Sequence, residues 1–171
     1  MLFRSAVGAI GDDEGGNARG AVHIIFMNTD GSVDSTVEIN SSTVNGPTLT
    51  NDDYFGASVA NIGDLDGDGV NDLAVGSHYD DEGGNARGAV HIIFMNTDGS
   101  VDSTVEINDS TVNGPTLTND DYFGVSVTSI GDLNNDGVTD LAVGAYGDDG
   151  GGVGNLGAVH IIFMNTDGSV D

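Results

Sequence analysis

Short apolar runs alternate along this chain with breaks rich in glycine and aspartate, and no segment carries a helical period. Residues 88–95, Gly-Ala-Val-His-Ile-Ile-Phe-Met, form a nearly continuous apolar run, the pattern of a strand covered on both faces. Residues 101–108 alternate apolar and polar positions, as a half-exposed outer strand does. Residues 55–62 are small and apolar, suited to a crowded position, and 73–76, Leu-Ala-Val-Gly, form a fourth short run. Between the last two runs of the unit lies Asn96-Thr-Asp-Gly-Ser100, and Asp-Gly between strand patterns predicts a tight hairpin.

The pattern repeats. His23, His91 and His160 stand in the same apolar run, 68 and 69 residues apart. Residues 6–73 and 74–141 differ at ten positions of 68. A third copy begins at Ala142 and carries one inserted residue in its loop at 148–157. A period of this length marks one supersecondary module stabilised by its neighbours. Four short strands per module predict an all-β fold of β-propeller blades, each of four antiparallel strands. A β-solenoid is the alternative, but its coils are usually shorter and need no hairpin turns. The expected division is a non-repeat leader at 1–5, a partial blade at 6–46 (strands two to four), a full blade at 47–114 and a partial blade at 115–171 (strands one to three). About two and a half blades make an incomplete ring, so the chain reads as a stretch of a longer array with open strand edges at both ends.

Each full copy contains an acidic loop. Asp64, Asp66, Asp68 and Asp72 fall at positions 1, 3, 5 and 9, with the Val70 carbonyl at position 7. Asp132, Asn134, Asp136, Val138 and Asp140 repeat the arrangement. Hard cations such as calcium take about six to eight oxygens, and alternate residues of a curled loop supply them. Gly69 and Gly137 allow the sharp turn. Position 12 is Val75 rather than the glutamate of an EF-hand, so the loop joins two strands. Two calcium sites per chain are therefore expected, the Asn134 site being the weaker.

Phe55-Gly56, the loop Asp-x-Asp-x-Asp-Gly-x-x-Asp-Leu, and Ala74-Val75-Gly76 occur in order, and Phe123-Gly124, Asp132–Leu141 and Ala142-Val143-Gly144 repeat them. This set resembles the FG-GAP repeat of integrin α-subunit propellers and of many bacterial secreted proteins. The resemblance implies a propeller of about seven blades when complete, with mainly structural calcium between a blade's first two strands. It implies a non-enzymatic, extracellular or cell-surface module for adhesion, ligand binding or scaffolding. The alternatives are a non-catalytic propeller portion of a secreted hydrolase and a self-assembling structural repeat protein. The partners expected are further copies of the chain or the remaining blades of a longer parent, with a protein or glycan ligand.

Composition narrows the field. The formal net charge is −25, with no lysine and only Arg4, Arg19 and Arg87 as cations. No basic surface for nucleic acid can be built from these. Such self-repulsion calls for counter-ions. Cysteine is absent, which excludes disulfides, and no apolar run reaches membrane-span length. The three repeat histidines lie on a buried run and read as hydrogen-bonded core residues, and His78 has no zinc-like spacing around it. Residues 150–154 precede a strand and no lysine follows, so they are not a phosphate loop. No nucleophile-elbow pattern supports a hydrolase triad. The loop at 80–87 is expected on the face opposite the acidic loops, beside residues 110–121.

Overall fold

The computed structural model describes residues 3–150, 154 and 156–171. The described residues contain no helix. They form ten strands: β1 (Phe3–Ala9), β2 (Ala21–Met27), β3 (Val33–Ile39), β4 (Ser58–Gly63), β5 (Asp72–Ser77), β6 (Ala89–Met95), β7 (Val101–Ile107), β8 (Phe123–Gly131), β9 (Asp140–Ala145) and β10 (Ala158–Ile162). Three antiparallel sheets follow chain order: β1-β2-β3, β4-β5-β6-β7 and β8-β9-β10. They are successive propeller blades, here called blades 1, 2 and 3, and the ring stays open. Part of the inserted loop at 148–157 and of the leader at 1–5 lies outside the described residues. Phe3, Arg4 and Ser5 of the leader pair with Met27, Phe26 and Ile25, although they stand outside the sequence repeat. Backbone pairing does not depend on side-chain identity, and the Arg4 guanidinium lies 5.2 Å from the centre of the Phe26 ring.

The strand patterns translate into burial. All seven residues of β6 are buried, while β7 is buried only at its two ends, Val101 and Ile107, and is exposed or half-buried between them. The three Asn-Thr-Asp-Gly-Ser segments close hairpins: Gly31, Gly99 and Gly168 take φ of 82–86°, and Asn28, Asn96 and Asn165 donate their N–H to Ser32, Ser100 and Ser169. The aspartate of each turn accepts from the serine hydroxyl, which holds the Asp30, Asp98 and Asp167 carboxyls below the usual range.

The core lies between blades rather than within them. Val22, Ile24, Phe26 and Ile39 of blade 1 pack on Phe55, Leu73, Val75 and Ile93 of blade 2. Val90, Ile92, Phe94 and Ile107 of blade 2 pack in the same way on Phe123, Leu141, Val143 and Ile162 of blade 3. The motif glycines meet at these joints. A Cβ on Gly76 would run into the Gly124 carbonyl, and a Cβ on Gly124, whose φ is 87°, would run into the Ala89 carbonyl. Only glycine lets the two backbones approach in this way. The crossing also moves one expected boundary. Strand β4 starts at Ser58 rather than Phe55, because Gly56 and Ala57 both donate to the Gly76 carbonyl and bend the chain before it. Phe55 instead forms an isolated parallel bridge to Gly20 of the preceding blade.

Candidate metal centre and opposite face

The first acidic loop joins β4 to β5 at one end of blade 2. Gly67 and Gly69 take φ of 83° and 91°, curling the backbone inward. Asp64 accepts from the Gly67 and Gly69 amides at 2.8 and 2.9 Å. Asp68 accepts from Val70 N–H at 2.7 Å. Asp72 opens β5 and is buried, and its two oxygens accept from Leu65 N–H at 2.9 Å and Met95 N–H at 3.0 Å. Burial, then the nearby charges of Asp66 and Asp68, push its carboxyl above the usual range against those hydrogen bonds. The outcome is one convergent group: ligand oxygens of Asp64, Asp66 and Asp72 lie within 4.8 Å of one another. Asp68 stands outside this trio.

The second loop repeats the frame with altered contents. Asn135 replaces Gly67 at the left-handed position with φ 65°, which asparagine tolerates. Asp140 is fully buried, and its oxygens accept from Leu133 N–H at 2.8 Å and Met164 N–H at 3.1 Å, as Asp72 does in blade 2. The Asn134 amide, however, donates to Asp136 at 2.7 Å. A donor occupies a position where the first loop has a carboxylate. Among the described residues no other group of three acidic or histidine side chains comes as close as the first trio. The donor set of the first loop, carboxylates and carbonyls with no nitrogen or sulfur, fits a hard divalent cation and not zinc.

The repeat histidines differ from the expectation that they are hydrogen-bonded. His91 is completely buried, and neither ring nitrogen has a partner. Burial lowers its pKa to about 4, so it is neutral. It rests edge-on against Phe55 at 5.4 Å. His160 does find a carboxylate, Asp148, at 3.0 Å. The corresponding aspartate of blade 2, Asp80, instead accepts from Glu82 N–H, and burial pushes its carboxyl up to about 7, with Asp53, Glu106 and Glu82 adding to the effect.

Sequence reasoning missed an aromatic cluster at the strand ends opposite the acidic loops. All four tyrosines of the chain join it. Tyr54 contacts Tyr79 at 5.2 Å, Tyr79 contacts Tyr122 at 5.0 Å, and Tyr122 stacks on Tyr146 at 4.6 Å. His78 lies 4.9 Å from Tyr79. The signal was present, since Tyr54 and Tyr122 each precede a motif Phe-Gly and His78-Tyr79 sits where the two copies diverge. Only the fold shows that these positions converge. The loop at 80–87 reaches the segment at 110–121 as expected: the Asn85 side chain donates to Asp120 at 2.7 Å, and Arg87 Nε donates to the Asn119 side-chain oxygen at 3.2 Å.

Comparison with known proteins agrees with this architecture. The FG-GAP repeat family matches residues 55–93 and 123–162. Integrin alpha-6 of Homo sapiens is 42% identical over 100 residues, covering 58% of this chain and 8% of that protein. Integrin alpha-3 of Mus musculus is 40% identical over 92 residues, covering 54% of this chain and 8% of that protein. Integrin alpha-6 of Gallus gallus is 34% identical over 136 residues, covering 80% of this chain and 11% of that protein. The chain thus spans about a tenth or less of the length of these relatives. Matching motifs, blade architecture and these similarities together show that the chain carries two FG-GAP repeats, at 55–93 and 123–162, and that it is similar in sequence to stretches of integrin alpha subunits.

Proposed function

We propose that the chain is a calcium-stabilised propeller module for extracellular adhesion or ligand binding, with no catalytic role. The observation that carries the metal assignment is the convergence of Asp64, Asp66 and Asp72 within 4.8 Å on a loop that both adjoining strands hold in place. Asp68 and the Val70 carbonyl complete the set around the same cation. Asp132, Asn134, Asp136, Val138 and Asp140 form a second, weaker site. A bound cation offsets the mutual repulsion of these carboxylates and pins the first hairpin of each blade. The tyrosine cluster on the opposite face favours a binding role over service as an inert spacer. Stacked aromatic faces offer a contact surface for a protein or glycan ligand.

Isothermal titration of the chelator-treated chain tests the metal assignment. Two calcium-binding events of unequal affinity are expected. Asp66→Ala removes the tighter one, and Asn134→Asp strengthens the weaker one. No heat above dilution, or a tighter site that survives Asp66→Ala, would sink the assignment.

A further inference from the structure

Both inter-blade joints use the same residues twice. At each joint the earlier blade offers Val-x-Ile-x-Phe from its third strand, and blade 2 adds an isoleucine from its first strand and a leucine from its acidic loop. In blade 2 these are Ile62, Leu65, Val90, Ile92 and Phe94, which are 0–5% exposed against blade 3. The later blade answers with the Val of Leu-Ala-Val-Gly and the Ile and Met of its third strand. The first outer residue after the hairpin completes that face. In blade 2 these are Val75, Ile93, Met95 and Val101, all buried against blade 1.

Each outer blade presents one of these two faces uncovered. On blade 3, Ile130, Leu133, Val159, Ile161 and Phe163 occupy the positions of the first set, and they are 36–69% exposed. On blade 1, Val7 and Val33 occupy the positions of Val75 and Val101, and they are 46% and 57% exposed. Ile25 and Met27 lie half-buried beside them. One chain therefore carries both halves of a joint that it already builds twice internally.

We infer that a second copy of this chain docks head to tail, its blade 1 seated on the open face of blade 3. The internal joints define the interface: Val159, Ile161 and Phe163 of one copy meet Val7, Ile25 and Met27 of the next. The two faces differ, so the contact is heterologous and a docked pair keeps one open face of each kind, which leads to chains or rings rather than a closed pair. The joint is smaller than the internal ones. Among the described residues blade 1 has no counterpart of β4 and blade 3 none of β7, and Ser5 stands where blade 2 has Leu73. The charge of −25 on each copy opposes the contact, so association strengthens as salt screens it.

Sedimentation velocity on the full chain, in buffered saline over a wide range of protein concentration, tests the inference. The weight-average sedimentation coefficient should rise with concentration. Val159→Glu spoils the blade 3 face and Val7→Glu the blade 1 face, and each should lower the association constant by more than roughly tenfold, because a carboxylate would be buried without a partner. Each variant alone should therefore run as a monomer. Their mixture should form a one-to-one dimer and nothing larger, since one good face of each kind remains. Both sites are exposed, so the β-sheet circular dichroism should be unchanged. If Val7→Glu loses that spectrum, Val33→Glu replaces it. A wild-type chain that stays monomeric throughout would overturn the proposal and leave the faces to further repeats on a longer chain. So would a variant that assembles alone, or two folded variants that fail to pair.

Discussion

Asp72 and Asp80 stand eight residues apart at opposite ends of one blade, and burial raises both carboxyls, yet they play different parts. Asp72 accepts two backbone N–H groups, so its removal strands two buried donors. Asp72→Ala should cost about 2–4 kcal/mol in a urea melt, from roughly 1–3 kcal/mol for each unsatisfied group. Asp80 accepts one amide and feels the charges of Asp53, Glu106 and Glu82, of which only Asp53 is buried with it. Its folded-state pKa, about 7, exceeds its unfolded value. Its contribution to stability is therefore fully present below the unfolded pKa and is lost as pH rises through about 7. Asp80→Asn should leave stability nearly unchanged near pH 4 and raise it on the order of 2–4 kcal/mol near pH 8. Denaturant melts at the two pH values check this, and an equal effect at both would rule out the titration account. His91 works in the other direction. Its folded pKa, about 4, lies below the unfolded value, so its contribution is present above about 6.5 and is lost as pH falls toward 4. Neither role was legible in the sequence. Three identical histidines occupy three environments: one sealed without a partner, one beside Asp148, and one 3.9 Å from Glu38.

The same segment, Ala-Val-His-Ile-Ile, forms β2, β6 and β10. Its energetic weight depends on which neighbours cover it. Ile92 of β6 is fully buried between blades, whereas Ile161, its counterpart in β10, is 43% exposed. In dilute solution Ile92→Ala should cost about 2–5 kcal/mol, and Ile161→Ala less than about 1 kcal/mol. Equal costs from urea denaturation would mean that blades are stabilised within their own sheets rather than by stacking. The glycine crossing is a second property of paired elements. Gly124→Ala combines a positive φ with a collision against the Ala89 carbonyl and should destabilise by about 2–4 kcal/mol. Gly31→Ala shares the positive φ in an open hairpin with no atom near the added Cβ, so only about 1–2 kcal/mol is expected there.

For the molecule as a whole, charge and open faces set the balance. Twenty-eight acidic side chains against three arginines repel one another in any compact state. If calcium binds the loops as proposed, it adds RT ln(1 + [L]/Kd), about 2.7 kcal/mol per site at a hundredfold excess over Kd. The melting temperature should then rise far more with calcium than with sodium chloride of the same ionic strength. Equal rises would reduce the effect to general screening.

Several features follow from sequence alone because they are local or periodic. The 68-residue period specifies the module, apolar runs against alternating ones separate inner from outer strands, and Asp-Gly fixes the hairpins. The aspartate spacing with its glycines marks the curled loop. These depend on backbone preferences and on side chains a few residues apart. Tertiary structure decided whatever needed distant segments to meet. It brought Asp64, Asp66 and Asp72 together while leaving Asp68 outside the trio. It gathered four tyrosines from two blades, and it set Gly76 against Gly124 so that each motif glycine explains the other. It also gave identical sequences unequal burial. A repeat states what each blade offers its neighbour, but whether a neighbour covers that face depends on the blade's place in the array.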